Sequence, residues 1–344
     1  MQSEGMINSF SDFFPMDHSY RLYGKTIRSN YPLPLPQVSD PNTDIRVIFE
    51  GYAPKRFNYS PVPRGLEWIN NKDTKELRYY YTDGKELAYR YSHDGKVIRF
   101  THCWPHWKDA QFSLVNAAMA AAHYLQGNYS LHCASLVLNG YSYLFMGASG
   151  QGKSTLSAAL ISEGMSAHCD DIAVPSWPSA DPENPDLPLI PAGYPMVKVM
   201  PETMEILKLD KINPIQIFSD QGNDEEFWYP ADYLPGGFYN ESAPLGGIFI
   251  LDERFNPDSR ASSFPDIRQL DTMQATLELM EHIYGRTWMN PPGQPTLEFA
   301  AKTARSAPVY QVALPDRLSL LRDSAGYLFK NYIKPVSEIE PAGL

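Results

Sequence analysis

The first third of the chain alternates apolar and polar residues over short distances. From Tyr20 to about Phe100 the runs are rich in Tyr, Val, Ile and Arg, as in DIRVIFEGY and ELRYYYTDGKELAYRYSHDGKVIRF. Such alternation is typical of half-buried β-strands. The dipeptides Asp83-Gly84 and Asp94-Gly95 separate these runs and are strong hairpin signals. The pattern therefore predicts an N-terminal region of mainly antiparallel strands.

A helical pattern comes next. Asp109 is a candidate N-cap for a helix through LVNAAMAAAHYLQ, and Gly127 is a suitable residue to end it. We predict a β-rich domain over residues 1–108, a connecting helix over 109–130 and a second domain over 131–344.

The second domain begins with a strand, an Asn139-Gly140 turn, another strand, a glycine-rich loop and a helix, LSAALISE, that ends at Gly164. Further elements are expected in PETMEILKL (helix), LGGIFIL (buried strand), Met273 to Tyr284 (helix), VYQVAL (strand) and Asp316 to Phe329 (helix). The hairpin-like turn interrupts simple alternation, so we predict an α/β domain with mixed strand directions.

Composition narrows the choice of partners and compartment. The 344 residues are 43% hydrophobic, which is ample for a core, and the formal net charge is −11. Nucleic acids and anionic membranes bind clustered Lys and Arg, so neither is an expected partner. The N-terminus has no basic segment followed by an apolar run, and we expect a cytoplasmic protein.

Cysteine usage agrees with a reducing compartment. Cys103, Cys133 and Cys169 have no CxxC spacing, so neither a disulfide framework nor a zinc module is predicted. A metal site from His132-Cys133 and His168-Cys169 remains an alternative, although adjacent ligands lack the usual chelating spacing.

The stretch GASGQGKST matches GxxxxGK[ST] in full. Glycines allow backbone N–H groups to surround phosphates, the lysine neutralises their charge, and the Ser hydroxyl binds Mg²⁺. The motif therefore predicts ATP and Mg²⁺ as cofactors, with nucleotide contacts from Gly147, Ala148, Ser149, Gly150, Gln151, Gly152, Lys153, Ser154 and Thr155.

Two carboxylates follow the helix after this loop. Asp170 and Asp171 lie within or at the end of a short strand, where neighbouring side chains point to opposite faces. One carboxylate would then face a metal and the other an incoming hydroxyl, as phosphoryl transfer requires. His132, one strand upstream of the loop, is expected near the same phosphate edge.

The ordered set LHCASL, YLFMGASGQGKSTLSAALISEGM and SAHCDDIAV resembles the catalytic domain of the HPr kinase/phosphorylase family. The resemblance covers roughly Leu131 to Val174 and implies an HPr-kinase-like α/β domain. It further implies Asp171 as the base, Asp170 and Ser154 as metal ligands, and His132 and Lys153 as catalytic residues. Thr155 stands where the bifunctional members have Glu, so phosphorolysis is not expected.

The N-terminal segment YRLYGKTIRSNYPLPLP also resembles the kinases of lasso-peptide gene clusters. That resemblance implies an ATP-dependent serine kinase whose acceptor is a serine near the C-terminus of a precursor peptide. Relatives of the family are often oligomeric, which makes a homo-oligomer an open expectation.

Other interpretations stay open. The chain would also suit a small-molecule hydroxyl kinase, or an ATPase switch without a hydroxyl acceptor, although LSGGQ and NKxD motifs are missing from the sequence. A regulatory module without turnover would use tyrosines as a peptide groove at a strand edge, namely Tyr79, Tyr80, Tyr81, Tyr89 and Tyr91. Lys198 and Arg254 are candidates for extra positive charge at the phosphates, with solvated surface charge as the simpler interpretation. The roles of the two aspartates and the choice between ATP and GTP are left undecided.

Overall fold

The computed structural model describes residues 18–52, 65–80, 86–102, 107–177, 187–209, 211–217, 226–259, 264–289, 291 and 293–333. The chain forms two compact units. The first unit comprises residues up to 128 together with 287–289, and the second unit comprises residues 129–286 and those from 290 onward.

The described part of the first unit contains one seven-stranded sheet. Its strands are β1 (His18–Leu22), β2 (Lys25–Ser29), β3 (Ile45–Tyr52), β4 (Gly65–Asn70), β5 (Lys75–Tyr80), β6 (Glu86–Tyr91) and β7 (Val97–His102). The order is β1-β2-β3-β7-β6-β5-β4. β3 is parallel to β2 and β7, and the remaining pairs are antiparallel, which confirms the mainly antiparallel prediction.

The predicted turn at Asp94-Gly95 joins the antiparallel strands β6 and β7, and Gly95 has a left-handed φ of +66°. The turn predicted at Asp83-Gly84 lies outside the described residues, as do Cys103 and Tyr81. The tyrosines do not form a strand edge: β5 and β6 each have a neighbour on both sides. Tyr89 is fully buried, and its hydroxyl donates to the Ala110 carbonyl at 2.7 Å.

The predicted helix after the sheet is present in pieces. It consists of α1 (Trp107–Ser113), a π-helical turn (Leu114–Ala118) and α2 (Met119–Leu125). Asp109 does not cap it, because the helix begins two residues earlier and Asp109 is buried inside α1. Gly127 has a left-handed φ of +80° just after α2, as expected for a helix end.

The second unit is a mixed α/β structure. Its strands are β8 (Ala134–Leu138), β9 (Tyr141–Met146), β10 (Ser166–Cys169), β11 (Leu189–Ile190), β12 (Met196–Lys198), β13 (Ile215–Ile217), β14 (Glu226–Pro230), β15 (Ala243–Leu251), β16 (Asp266–Gln269) and β17 (Val309–Ala313). The main sheet has the order β10-β8-β9-β15-β17-β16. Strands β9, β15 and β17 run parallel, while β8, β10 and β16 pair antiparallel, so the predicted mixed directions are confirmed.

Two features of the sheets differ in how well the sequence indicated them. Asn139 and Gly140 join β8 to β9 with φ values of +49° and +80°, the left-handed pair that a two-residue hairpin needs. By contrast, the separate sheet β12-β14-β13 was not predicted. Its strands are only three to five residues long, too short for a periodic pattern.

The helices of the second unit are α3 (Lys153–Ser162), α4 (Pro201–Ile206), α5 (Thr272–Glu281), α6 (Gly293–Ser306) and α7 (Leu321–Leu328). The predicted α3, α4 and α5 are present. The last predicted helix is shorter than expected, since α7 begins at Leu321 after a 3₁₀ turn (Leu318–Leu320). The sequence analysis missed α6, which buries only small or hydroxyl side chains at its core positions and so carries a weak hydrophobic signal.

Aromatic stacking fixes the centre of the main sheet. Phe249 on β15 stacks between Phe145 on β9 and Tyr310 on β17, with ring centroids 5.3 Å apart in both pairs. This packing holds the ends of the parallel strands, where the glycine-rich loop begins. Across the described parts of both units, every helix is too short or too polar to span a bilayer.

Candidate active site

The glycine-rich loop connects β9 to α3, the strand, loop and helix setting that the motif requires. Gly147, Gly150 and Gly152 have φ values of +150°, +83° and +98°, a region that favours glycine. A Cβ atom on Gly147 would lie 2.7 Å from Gln151 Oε1 and 2.9 Å from Leu251 Cβ. The first glycine is therefore required both by its conformation and by the close approach of β15.

Lys153, the first residue of α3, folds back over this loop. Its Nζ donates to the Gly147 carbonyl at 2.7 Å and to the Ala148 carbonyl at 3.3 Å. Burial lowers the pKa of Lys153, while the negative charge of Asp171 opposes that change. The ammonium group is thus held at the mouth of the loop, where a bound phosphate would meet it.

Asp170 follows β10 and is 6% exposed. One carboxylate oxygen accepts the backbone N–H of Lys198 at 2.5 Å, and the other accepts the N–H of Asp171 at 3.0 Å. Burial raises the pKa of Asp170 to about 6, against the opposing effect of the Lys198 charge. Asp170 therefore fixes the backbone of β12 against the end of β10.

Asp171 has an unusual backbone for a residue other than glycine, with a φ of +74°. Its Oδ1 lies 3.3 Å from His132 Nε2 and 3.5 Å from Lys198 Nζ. Burial alone would raise the pKa of Asp171, but Lys198 and His132 outweigh it and hold the pKa well below its usual range.

The predicted opposite orientation of the two aspartates is wrong. Strand alternation would have applied only within β10, which ends at Cys169, and the left-handed backbone of Asp171 turns the chain immediately afterwards. Both carboxylates line the same cavity. The pair therefore acts in one place, with different partners for each member.

His132 lies two residues before β8 and is held by its backbone. Its N–H donates to the His282 carbonyl at 2.7 Å, and the preceding Leu131 exchanges two backbone hydrogen bonds with Ala173. The imidazole packs edge-on against Tyr284, with ring centroids 5.9 Å apart. The strand before the loop thus brings His132 to the aspartates, as predicted.

Lys198 is not a solvated surface charge. Its Nζ lies 3.5 Å from Glu226 Oε1 as well as from Asp171, and 5.6 Å from the centroid of the Trp228 ring. The Trp228 indole N–H donates to the other Glu226 oxygen at 3.0 Å. Burial would lower the pKa of Lys198, but Asp171 and Glu226 outweigh it and raise the pKa.

The sequence analysis missed Glu226. It lies 55 residues after Asp171 in the chain and reaches the site only because β12 and β14 pair in the unpredicted small sheet. No local motif could have indicated this contact.

Arg254 is exposed, yet it contacts the loop: Nη2 donates to the Gly150 carbonyl at 2.8 Å, and Nη1 lies 3.0 Å from Asp316 Oδ1. The surface interpretation of Arg254 is therefore incomplete. Arg317, which the sequence analysis did not consider, lines the same cavity.

All of these groups meet at one cavity of about 450 Å³ within the second unit. Its walls are formed by His132, Cys133, Ala134, Ser149, Gly150, Gln151, Gly152, Lys153, Ser154, Thr155, Asp170, Asp171, Lys198, Met200, Arg254, Leu314, Pro315, Arg317, Leu318, Leu321 and Ser324. The cavity brings together the loop from Ser149 to Thr155 and the predicted catalytic side chains.

The donor set suits Mg²⁺ bound together with phosphate. Ser154 and the two aspartates provide hard oxygen ligands, which this ion prefers. Within the described ranges, no group of three or more His, Cys, Asp or Glu side chains is arranged to hold a metal. Mg²⁺ commonly completes its octahedron with substrate phosphate and water, so a partial protein shell fits this ion.

The alternative His/Cys metal site is not formed. His168 is fully buried, with Nδ1 3.1 Å from Ser135 Oγ and Nε2 2.9 Å from the Glu241 carbonyl. Burial lowers the pKa of His168 to about 4. Its ring nitrogens are therefore engaged within the core and do not face His132.

Comparison with known proteins adds little to this geometry. No family model matches the chain, and no curated protein matches it. Among solved structures, the HPr(Ser) kinase/phosphatase from Coxiella burnetii aligns with 60% of this chain and 98% of its own, at 15% identity and a TM-score of 0.28. A likeness this distant has no bearing on the chemistry of the site, which rests on the residues described above.

Proposed function

We propose that this protein is an ATP-dependent serine kinase, which transfers the γ-phosphoryl group of ATP to a serine hydroxyl of a peptide or small protein. The observation that carries the proposal is the shared cavity. It holds Lys153 and the glycine-rich loop next to Asp171, whose carboxylate is fixed by His132 and Lys198.

Each group has a role in this reaction. The N–H groups of the loop and Lys153 bind the phosphates, and Ser154 and Asp170 are the residues that would hold Mg²⁺. The ion, when bound, neutralises charge on the phosphates. Asp171 Oδ1 is occupied by His132 and Lys198, which leaves Oδ2 as the oxygen that faces an incoming hydroxyl.

The transfer balances as follows. The serine oxygen forms a bond to the γ-phosphorus, the bond from that phosphorus to the β,γ-bridging oxygen breaks, and ADP leaves. The hydroxyl proton passes to Asp171, which is ionised at neutral pH. Positioning and charge neutralisation supply most of the rate enhancement in such reactions.

The identity of the acceptor rests on the sequence resemblance of residues 131–174 rather than on the cavity. The narrower acceptor, a serine at the C-terminus of a lasso-peptide precursor, rests on the N-terminal segment alone. A small-molecule hydroxyl would suit the same catalytic groups, and water would suit an ATPase switch.

The test is transfer of labelled γ-phosphate from Mg-ATP to a panel of acceptors. The panel contains peptides with serine at the C-terminus, peptides with serine in the interior, and a mixture of hydroxyl metabolites. We expect labelled phosphoserine with the wild type, at least a hundredfold less with Asp171→Asn, and unchanged transfer with Asp232→Asn, an exposed aspartate outside the cavity.

Label that is released only as free phosphate, whatever acceptor is present, would reject the kinase in favour of the ATPase switch. Label on a metabolite would reject the peptide acceptor and keep the phosphotransferase. Full transfer by Asp171→Asn would reject the assignment of the base.

A further inference from the structure

The cavity has two different sides around the glycine-rich loop. On one side lie the charged groups Asp170, Asp171 and Lys198 together with His132. On the other side lies the segment from Leu314 to Ser324, which joins β17 to α7. The first side is assigned to the reaction in the proposed function, whereas the second has no role so far.

The Leu314–Ser324 segment presents an apolar wall with one hydroxyl. Leu314, Pro315 and Leu321 are buried, and Leu318 is 41% exposed at the surface of the 3₁₀ turn. They are joined in the cavity lining by Ser324 on α7. A flat apolar surface with a single polar group is typical of pockets for small aromatic ligands.

The Ser324 hydroxyl is a specific sign of a ligand. The residue is 2% exposed, and its Oγ has no hydrogen-bond partner within the described part of the chain. A buried hydroxyl without a partner is costly to a protein, whereas a ligand that enters the cavity can supply the missing hydrogen bond. The remaining polar side chains here are Arg254 and Arg317, both with exposed guanidinium groups.

Arg254 ties this wall to the phosphate loop. One of its nitrogens donates to the Gly150 carbonyl, and another pairs with Asp316 in the middle of the segment. A molecule with its phosphates on the loop therefore has the apolar wall directly beside it. Placing its uncharged part on the opposite side would desolvate Asp170, Asp171 and Lys198 without pairing them.

We propose that the Leu314–Ser324 wall is the subsite for the base of a purine nucleoside triphosphate, with Leu318 covering a face of the base and the Ser324 hydroxyl bonding its polar edge. This inference rests on nucleotide binding in the proposed function, but it does not depend on the acceptor. A purine has the required chemistry, since its faces are apolar and its rim carries hydrogen-bonding nitrogens.

The test compares two probes, Mg-ATP and Mg-tripolyphosphate, because the second has phosphates but no base. Their affinities for the full-length chain are measured by isothermal titration calorimetry. Leu318→Asp is expected to weaken ATP binding by about tenfold or more, as loss of an apolar contact does, and to leave tripolyphosphate binding unchanged. Leu297→Asp is the matched control, because Leu297 has a similar exposure of 44% and lies outside the cavity.

Ser324→Ala tests the hydroxyl. We expect it to weaken ATP binding roughly threefold to tenfold, the usual effect of one neutral hydrogen bond, again without change for tripolyphosphate. Equal loss of both probes in Leu318→Asp would overturn the proposal, because the variant would then act through the phosphate loop. Wild-type ATP affinity in both variants would overturn it as well.

The two proposals fail in different ways. If the wild type binds neither probe, the phosphate site and the base subsite are both rejected. If the wild type binds ATP and the two variants behave as expected, but no hydroxyl is phosphorylated, the base subsite stands and the kinase assignment is rejected.

Discussion

The contact between Lys198 and Asp171 allows a quantitative test of the site. Lys198→Met removes the ammonium group and keeps most of the side-chain volume beside Trp228. Asp171 then keeps His132 as its partner but loses the cation 3.5 Å from Oδ1. Because the carboxylate stays buried, we expect the folded state to become less stable at pH 7.

The magnitude follows from distance and exposure. Two unit charges 3.5 Å apart attract by about 5 kcal/mol at an effective dielectric constant of about 20. Breaking a fully buried pair costs about 3–5 kcal/mol, and breaking an exposed pair about 0–1 kcal/mol. The side chains of Lys198 and Asp171 are 29% and 19% exposed, so we expect an intermediate loss of about 2 kcal/mol.

The direction of the pH dependence can also be derived. In the wild type the pKa of Asp171 is lowered, so its contribution to stability is complete above the ordinary aspartate pKa of 3.8 and declines as the pH falls below that value. Without Lys198, burial dominates and the pKa of Asp171 rises above 3.8. The loss of stability in Lys198→Met should therefore be greater at pH 7 than at pH 5.

The assay is urea unfolding followed by fluorescence and circular dichroism, for the wild type, Lys198→Met, Asp171→Asn and the double variant. The four unfolding free energies give a coupling energy, which we expect to be about 1–2 kcal/mol. Lys211→Met, at an exposed position outside the cavity, is the matched control and should not change stability. A coupling energy below about 0.5 kcal/mol, the usual error of additivity, would refute the reasoning.

Three further predictions concern single positions. Gly147→Ala, where an added Cβ would meet neighbouring atoms, should weaken Mg-ATP binding by more than about tenfold, while Gly164→Ala, with no atom within 4 Å of its added Cβ, should leave binding unchanged in the same titration. Arg254→Ala should reduce ATP affinity severalfold because its contact with Gly150 is lost, yet change the urea midpoint little, because an exposed pair contributes about 0–1 kcal/mol. Asp170 has a raised pKa of about 6 against an ordinary 3.8, so without metal it should cost about 3 kcal/mol of stability above pH 6, appearing as the pH rises from about 4. Asp170→Asn should remove that pH-dependent difference, and identical pH profiles for the two proteins would contradict the prediction.

Local signals predicted local structure well. The Asn139-Gly140 and Asp94-Gly95 turns, and the strand, glycine-rich loop and helix around Lys153, all depend on neighbours in the sequence. Elements without a strong local signal were missed. Helix α6 contains Gly and Pro in its first turn and buries Thr and Ala rather than large apolar residues, so neither capping nor periodicity indicated it.

The site was predictable only as far as it is local. The loop, His132 and the two aspartates lie within 40 residues of one another, and the structure brings them to one cavity. Glu226 and the Leu314–Ser324 wall reach that cavity through strand pairing and chain crossings that no short motif encodes. Contacts of this kind depend on the tertiary fold, which is why Lys198 was indistinguishable from a surface lysine.

The two aspartates show why roles cannot be read from residue type alone. Both are removed from solvent, but Asp170 is held by backbone N–H groups, while Asp171 has a cation beside it. The first therefore has a raised pKa and the second a lowered one, so that Asp171 stays ionised wherever Asp170 begins to titrate. A carboxylate with a low pKa is a weak base, and early removal of a hydroxyl proton would be slow. The proposed reaction avoids this difficulty, because in a loose phosphoryl transfer the hydroxyl proton becomes acidic only as the new bond to phosphorus forms. Asp171 then needs to orient the hydroxyl first and to accept its proton late, a task suited to a fixed, fully ionised carboxylate.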